Sequence, residues 1–225
     1  MSSSFAPRAV VFDAYGTLFD VYSVGLLAEQ LFPGRGDALS VLWRDKQIEY
    51  TRLVSMSGRY RPFWELTQAA LRFAALRLSL TLDSAAEDRL MNQYRHLSAF
   101  PENLEVLREL KARAIPTAIL SNGDPEMLAV AVKSAGFTEL LDHVLSVHPI
   151  RKYKTDPEAY ALGPQAFKLP AKQILFVSSN GWDAIGATWF GYTTLWVNRH
   201  GLPLEQLDTA PTRIGTSLRD VLSFF

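Results

Sequence analysis

Five short apolar runs, at positions 9–12, 117–120, 144–147, 174–177 and 194–197, set the tightest limit on how this chain can fold. Each has the length of a buried strand and is rich in β-branched or aliphatic side chains, with little polar alternation to suit a water-facing edge. Stretches of helical length lie between them, at 104–114, 126–135, 157–167 and 183–190. Strands that alternate with helices imply a parallel sheet joined by right-handed crossovers, so the expected class is α/β.

One segment breaks the rhythm. Positions 22–97 contain no convincing strand, and their apolar residues recur at helical spacing: Leu39, Leu42, Trp43, Ile48, Tyr50 and Leu53, then Phe63, Leu66, Ala70, Leu71, Phe73 and Leu76. This reads as a helical insert of 22–97 placed after the first strand, with the α/β core made from 1–21 and 98–225. Functional sites in open α/β sheets lie beyond the carboxyl ends of the strands. A helical cap beside the end of strand one can exclude water from such a site.

Composition removes several function classes. The 225 residues suffice for one substantial core, or a core with a modest inserted domain. Formal net charge is zero, which gives no electrostatic footprint for nucleic acid or an anionic membrane. Cysteine is absent, so disulfides, thiolate metal sites and cysteine nucleophiles are excluded together. The start of the chain is unlike a signal peptide, and no apolar stretch approaches the ~20 residues of a membrane span. A cytoplasmic enzyme is the default expectation.

The segment VVFDAYGTLFD is the most informative. Asp13 directly follows a buried strand, where a carboxylate is held rigidly, and the tight loop 14–16 surrounds it with backbone N–H donors. A bare turn cap is the plain alternative. In ILSNG, Ser121 and Asn122 close the second strand; Ser121 can donate to a substrate carboxylate or to Asp13, although Ser-Asn-Gly is also ordinary turn chemistry. In KYKTDPEAY, Asp156 suits a helix N-cap and Pro157 its first position, which leaves Lys154 in the loop at the functional end of the sheet. A lysine there neutralises Asp13 and keeps it ionised, with Tyr160 one turn into the helix as its support. The segment LFVSSNGWDAIGA sets Ser178, Ser179, Asn180 and Asp183 in quick succession after a strand, too dense a polar cluster for plain surface. Asp183 suits either a helix cap or an anchor that orients Lys154 or a water. In the insert, Arg44 offers a fork for a carboxylate or a departing anion, set against the solvent-facing charges Asp45, Lys46 and Glu49. Phe63 and Trp182 suit apolar pocket walls or plain core. The histidines lack ligand-like spacing, and neither a GxSxG elbow nor a Walker loop is present.

Taken together, FDAYGTLFD, WRDKQIEYT, ILSNG, YKTDP and FVSSNGWDAIGA resemble the haloacid dehalogenase superfamily, and within it the L-2-haloacid dehalogenases, over about 8–225. The resemblance implies a Rossmann-like parallel core of that type, an inserted cap resembling a four-helix bundle, and a homodimer. It implies Asp13 as nucleophile, Thr17 as its loop support, and Arg44 and Asn122 as receivers of a halide. Ser121 would hold the substrate carboxylate with backbone N–H groups near Tyr15. Lys154, Tyr160, Ser178, Asn180 and Asp183 would position nucleophile and water, with Tyr160 also counted toward substrate binding. Tyr15, Phe63 and Trp182 would wall the pocket. The expected partners are a small 2-haloacid, halide and water, with no cofactor. Phosphatases of the superfamily need an aspartate where Tyr15 stands, and usually an acidic pair where this chain has Ser-Ser-Asn, so an oxygen cage for Mg²⁺ is short of carboxylates. A metal-dependent phosphatase and a non-catalytic binder of small carboxylates are the rival expectations. Two departures stand out: Asp45, where glutamine is expected and an acid would damp Arg44, and Thr155 in place of proline after Lys154.

Overall fold

A computed structural model describes residues 6–225; positions 1–5, part of the start read as unlike a signal peptide and of the expected 1–21 core piece, lie outside the described residues. The apolar runs form parallel strands: β1 (Ala9–Phe12), β2 (Thr117–Ser121), β3 (His143–Ser146), β4 (Ile174–Ser178), β5 (Thr193–Val197) and β6 (Arg213–Gly215). Their order across the sheet is β3-β2-β1-β4-β5-β6. Strands β1, β2 and β4 are buried along their whole length, as strands covered on both faces must be. β6 was not foreseen; its three residues are too few and too exposed to stand out as an apolar run.

This is the Rossmann-like order, and it reverses direction at β1. The chain leaves β1 toward β2 on one side, while β4 pairs with β1 on the other, with Phe12 level with both Ile119 and Val177. The crevice beyond the carboxyl ends of β1 and β4 is where open α/β sheets hold their ligands. Asp13 is the first residue past β1 and Ser179 the first past β4.

Helices cover the sheet: α5 (Asn103–Ala112), α6 (Pro125–Ser134), α7 (Pro157–Phe167) and α8 (Gly181–Phe190). Between β1 and α5 come α1 (Gly25–Leu31), α2 (Gly36–Met56), α3 (Phe63–Arg77) and α4 (Ser84–Arg95), with α2 packed on both α1 and α3. The caps follow side-chain chemistry. The Asp83 carboxylate accepts from the Ala86 N–H at 2.8 Å, and Asp156 accepts from Glu158 N–H at 2.9 Å with Pro157 at the first helical position.

The inward stripe of α2 differs from the one expected. Leu39 and Trp43 are buried, but Leu53 is 52% exposed, and on α3 Leu76 is 78% exposed. What α2 buries besides its apolar residues is Ser40, Arg44, Gln47 and Thr51, which fall at helical spacing along one face. The reason lies in what α2 packs against: part of that face looks onto the polar ends of β1 and β4 rather than onto an apolar core.

Candidate active site

Asp13 owes its position to β1, which delivers it to the crevice, and to the loop that follows. The N–H groups of Thr17, Leu18 and Phe19 all converge on the Ala14 carbonyl, and the Gly16 N–H donates to Phe19 O at 2.7 Å, so the chain turns back on itself within a few residues. Gly16 holds φ at +96°, and a Cβ there would sit 3.3 Å from the Asn180 amide; only glycine gives both the dihedral and the clearance. Among the described residues, the N–H groups of Ala14 and Tyr15 make no hydrogen bond within the chain, which leaves two amides beside Asp13 as donors.

Both oxygens of the Asp13 carboxylate are engaged. Oδ2 accepts from Thr17 Oγ1 at 2.9 Å and from Asn180 Nδ2 at 2.8 Å, with Ser178 Oγ at 3.5 Å. Oδ1 accepts from Lys154 Nζ at 3.0 Å. The ammonium spans two carboxylates, because the same Nζ donates to Asp183 Oδ2 at 3.0 Å. Tyr160 completes the chain by donating its hydroxyl to Asp183 Oδ1 at 2.8 Å. Gly186 makes room for that hydroxyl, since a Cβ there would lie 2.4 Å from it.

Burial makes this network electrostatically strong. Lys154 is 2% exposed and Asp183 wholly buried. Burial alone would drive the Lys154 ammonium down; the two carboxylates outweigh it and raise it above its usual value. Burial pushes the Asp183 carboxyl up to about 6, with Lys154 opposing, the Asp13 charge adding, and the Tyr160 hydrogen bond lowering it. Burial also lifts the Tyr160 hydroxyl well above its ordinary range, so it stays a donor.

In front of Asp13 is a small cavity of about 20 Å³, room for roughly one water. Tyr15, Ser121, Asn122 and Trp182 line it from the sheet side, and Arg44, Ile48, Thr51 and Phe63 from α2 and α3. Ser121 Oγ accepts from the Gly123 N–H at 3.0 Å, which leaves its own O–H to donate; Asn122 Oδ1 accepts from the Lys154 N–H at 2.9 Å, which leaves its amide donors. Arg44 is buried and donates to Gln47 Oε1 at 2.8 Å, Tyr15 O at 3.0 Å and Asn180 Oδ1 at 3.3 Å. Tyr15 stacks between Phe63 and Tyr94, with ring centroids 5.6 and 5.8 Å away.

A model of the haloacid dehalogenase-like hydrolase family matches residues 7–191. The chain belongs to that family. It is 46% identical to an (S)-2-haloacid dehalogenase of Pseudomonas sp. strain YL, over 97% of this chain and 94% of the relative. The crystal structure of an L-2-haloacid dehalogenase superposes with a TM-score of 0.95 at 62% identity, covering 97% of this chain and 98% of that one. A dehalogenase from Xanthobacter autotrophicus, with chloropropionic acid covalently bound, superposes at 0.88 and 36% identity, each chain covered to 96%.

The donors of this site do not suit a divalent ion. Tyr15 turns its ring into the aromatic stack. The Asp13 and Asp183 oxygens that face Lys154 already accept from its buried ammonium, so a divalent ion placed between them would compete with that charge.

The residues expected from the sequence separate into three groups. Asp13, Tyr15, Arg44, Phe63, Ser121, Asn122 and Trp182 share the cavity wall. Thr17, Ser178, Asn180 and Lys154 touch the Asp13 carboxylate. Asp183 and Tyr160 sit behind Lys154, outside the cavity, because Lys154 fills the space between them and Asp13. Tyr160 therefore departs from its expected substrate contact, and Asp183 from direct contact with a water in the cavity. Asp45 makes no hydrogen bond to Arg44; it faces an outer basin instead. Lys154 stays fixed despite Thr155, and the peptide joining them is cis.

Four supporting residues escaped the sequence reading. Gln47 accepts from both Arg44 and the Tyr94 hydroxyl and donates to Thr67 at 2.6 Å. Asp124 accepts from the N–H groups of Phe63 and Trp64, at 3.0 and 2.7 Å, and so caps α3 from the sheet side. Arg199 donates to Thr17 O, Glu102 and Ser179 behind the Asp13 loop. Asn103 donates to Leu18 O at 2.8 Å. The polar stripe Ser40, Arg44, Gln47 and Thr51 was the signal available for Gln47; the others act across twenty or more residues of sequence and leave no local trace.

Proposed function

We propose that the chain is an (S)-2-haloacid dehalogenase that hydrolyses short L-2-haloalkanoic acids to D-2-hydroxyacids and halide. The observation that carries this reading is the Asp13 carboxylate, held by Lys154, Thr17 and Asn180 and facing a small cavity that Arg44 also lines. Helices α1–α4 act as a cap domain of 22–97 over a core of 1–21 and 98–225. The working form is a cytoplasmic homodimer.

The substrate carboxylate is held by the Ser121 hydroxyl and the Tyr15 N–H. Oδ1 of Asp13 has Lys154 as its single protein donor, which leaves lone-pair capacity for attack. It displaces the halogen from the back: the new C–O bond forms as the C–halogen bond breaks, and halide leaves toward Arg44 and Asn122. Charge moves from one anion to another, so the buried guanidinium stabilises what develops in the transition state. Tyr15, Phe63 and Trp182 keep the pocket apolar, which strips water from an otherwise weak nucleophile.

Water then attacks Cγ of the aspartyl ester, and the Ala14 amide receives the oxyanion; one such donor is typically worth ~10²–10³ in rate. The Cγ–O bond to the substrate carbon breaks, the departing alkoxide gains a proton, and the carboxyl loses one. The sum is haloacid plus water giving hydroxyacid, halide and one proton. Asn180 orients the water, while Asp183 and Tyr160 act through Lys154. Only the first step inverts the stereocentre.

Chloride release from L-2-chloropropionate tests the activity. In a single turnover in oxygen-18 water, the label is expected in the Asp13 carboxyl and absent from the first hydroxyacid released. Label found directly in that product overturns the ester intermediate.

A further inference from the structure

The cavity in front of Asp13 has room for roughly one water, so a substrate reaches it only if part of its wall moves. Directly outside lies a basin of about 640 Å³ between α2, α8 and the 202–207 loop. Ile48 and Trp182 line both the cavity and the basin, so these two side chains stand between Asp13 and the solvent of the basin. Both are half-buried rather than locked in the core, and each stands on a helix rather than in the sheet.

The charges of the basin favour one point of contact for an anion. Asp45, Glu49 and Glu205 line it, and Arg52 is the one cation among its described lining residues. Arg52 lies on α2 one turn beyond Ile48, and its guanidinium stands 5.2 Å from the Trp182 ring. A carboxylate that meets Arg52 is thereby brought against Trp182, and pairing with the anion competes with the hold of the guanidinium on the indole.

We propose that the 2-haloacid reaches Asp13 through this basin, with Ile48 and Trp182 as the doorway and Arg52 as the residue that first receives its carboxylate. This rests on the dehalogenase reading given above. Access is limited by displacement of Trp182, and the acidic rim leaves Arg52 as the place where an anion dwells.

The absence of cysteine allows a direct test, because a single introduced cysteine is the sole thiol. Glu205→Cys, on the basin rim, is coupled to a bulky maleimide. Glu126→Cys, beside a separate cavity near Trp64, is coupled in the same way. Label at position 205 is expected to lower kcat/KM for L-2-chloropropionate by about tenfold or more, within the one to three decades over which association rates vary. Label at position 126 is expected to leave it unchanged. Stopped-flow quenching of tryptophan fluorescence by propionate reads the same passage without chemistry, and is expected to slow in parallel. Arg52→Gln is expected to raise KM with little change in kcat, and Arg52→Lys to recover most of the loss. A harmless label at 205, or inhibition from 126 instead, overturns the route. Loss of chloride release in the unlabelled protein, with carboxylate binding still slowed by the 205 label, overturns the activity and leaves the route standing.

Discussion

The two sides of the cavity are built differently. On the sheet side, Asp13, Lys154, Asp183 and Asn180 are tied to one another and to strand ends, so each charge sits where backbone geometry puts it. On the helical side, Arg44, Ile48 and Phe63 project from α2 and α3, and the two sides meet through bridges between residues distant in sequence, among them Arg44 to Tyr15 O and Asn180, Asp124 to the first amides of α3, and Tyr153 to Ser55 and Arg61 O. Substituting the sheet side should therefore remove chemistry, while substituting the helical side should change how well the site closes. Rigid preorganisation serves the reacting charges; a surface that must admit a substrate works better with fewer ties.

The largest expected effect is that of Asp13→Asn, which removes the attacking oxygen's charge and should lower kcat by about 10⁴–10⁶-fold. Halide release under saturating substrate measures it, and substantial residual turnover would place the chemistry elsewhere. Next is Lys154→Met. Two buried carboxylates then face each other without their common cation, at a cost of about 3–5 kcal/mol in stability. Urea unfolding followed by circular dichroism should show this together with lost activity; a variant as stable as the parent breaks the picture of an ion-paired sheet side.

Tyr160→Phe gives a smaller and more specific effect. With Asp183 held near 6, activity should decline as pH falls through that value, because protonated Asp183 no longer anchors Lys154. The Tyr160 hydrogen bond lowers this carboxyl, so its removal should move the acid limb of the kcat profile to higher pH. A limb that stays in place, or moves down, counts against Asp183 as the titrating group. On the helical side, Asp124→Ala should cost about 1–2 kcal/mol as a lost helix cap, raising KM more than it lowers kcat. A large kcat loss with unchanged KM would erase the proposed contrast. Smallest of all is the response to a chelator such as EDTA, expected to be nil in a chloride-release assay.

Much of the sheet side was legible along the chain because its residues are local to strand ends. VVFD, ILSN and VSSN are each an apolar strand with polar residues directly after it, and in a parallel sheet such endings gather at one edge. The helical side was harder to read. Periodicity marked Leu53 on α2 as inward, and it is exposed, because the inward α2 face carries polar residues; Leu76, near the end of α3, is exposed as well. Tyr160 was expected both as a support for Lys154 and at the substrate; the clearance left by Gly186 takes it to Asp183, behind Lys154 and outside the cavity.

Residue order alone was enough for the α/β class, the helical insertion after β1 and the placing of Asp13 at the end of β1, because strand, turn and cap chemistry act over a few neighbouring residues. The sharing of Lys154 by two aspartates, the capping of α3 by Asp124, the hidden position of Tyr160 and the Ile48–Trp182 wall are properties of the folded chain. Each depends on side chains that meet across tens to more than a hundred residues, and such meetings are set by how helices pack onto a sheet, which no local pattern encodes.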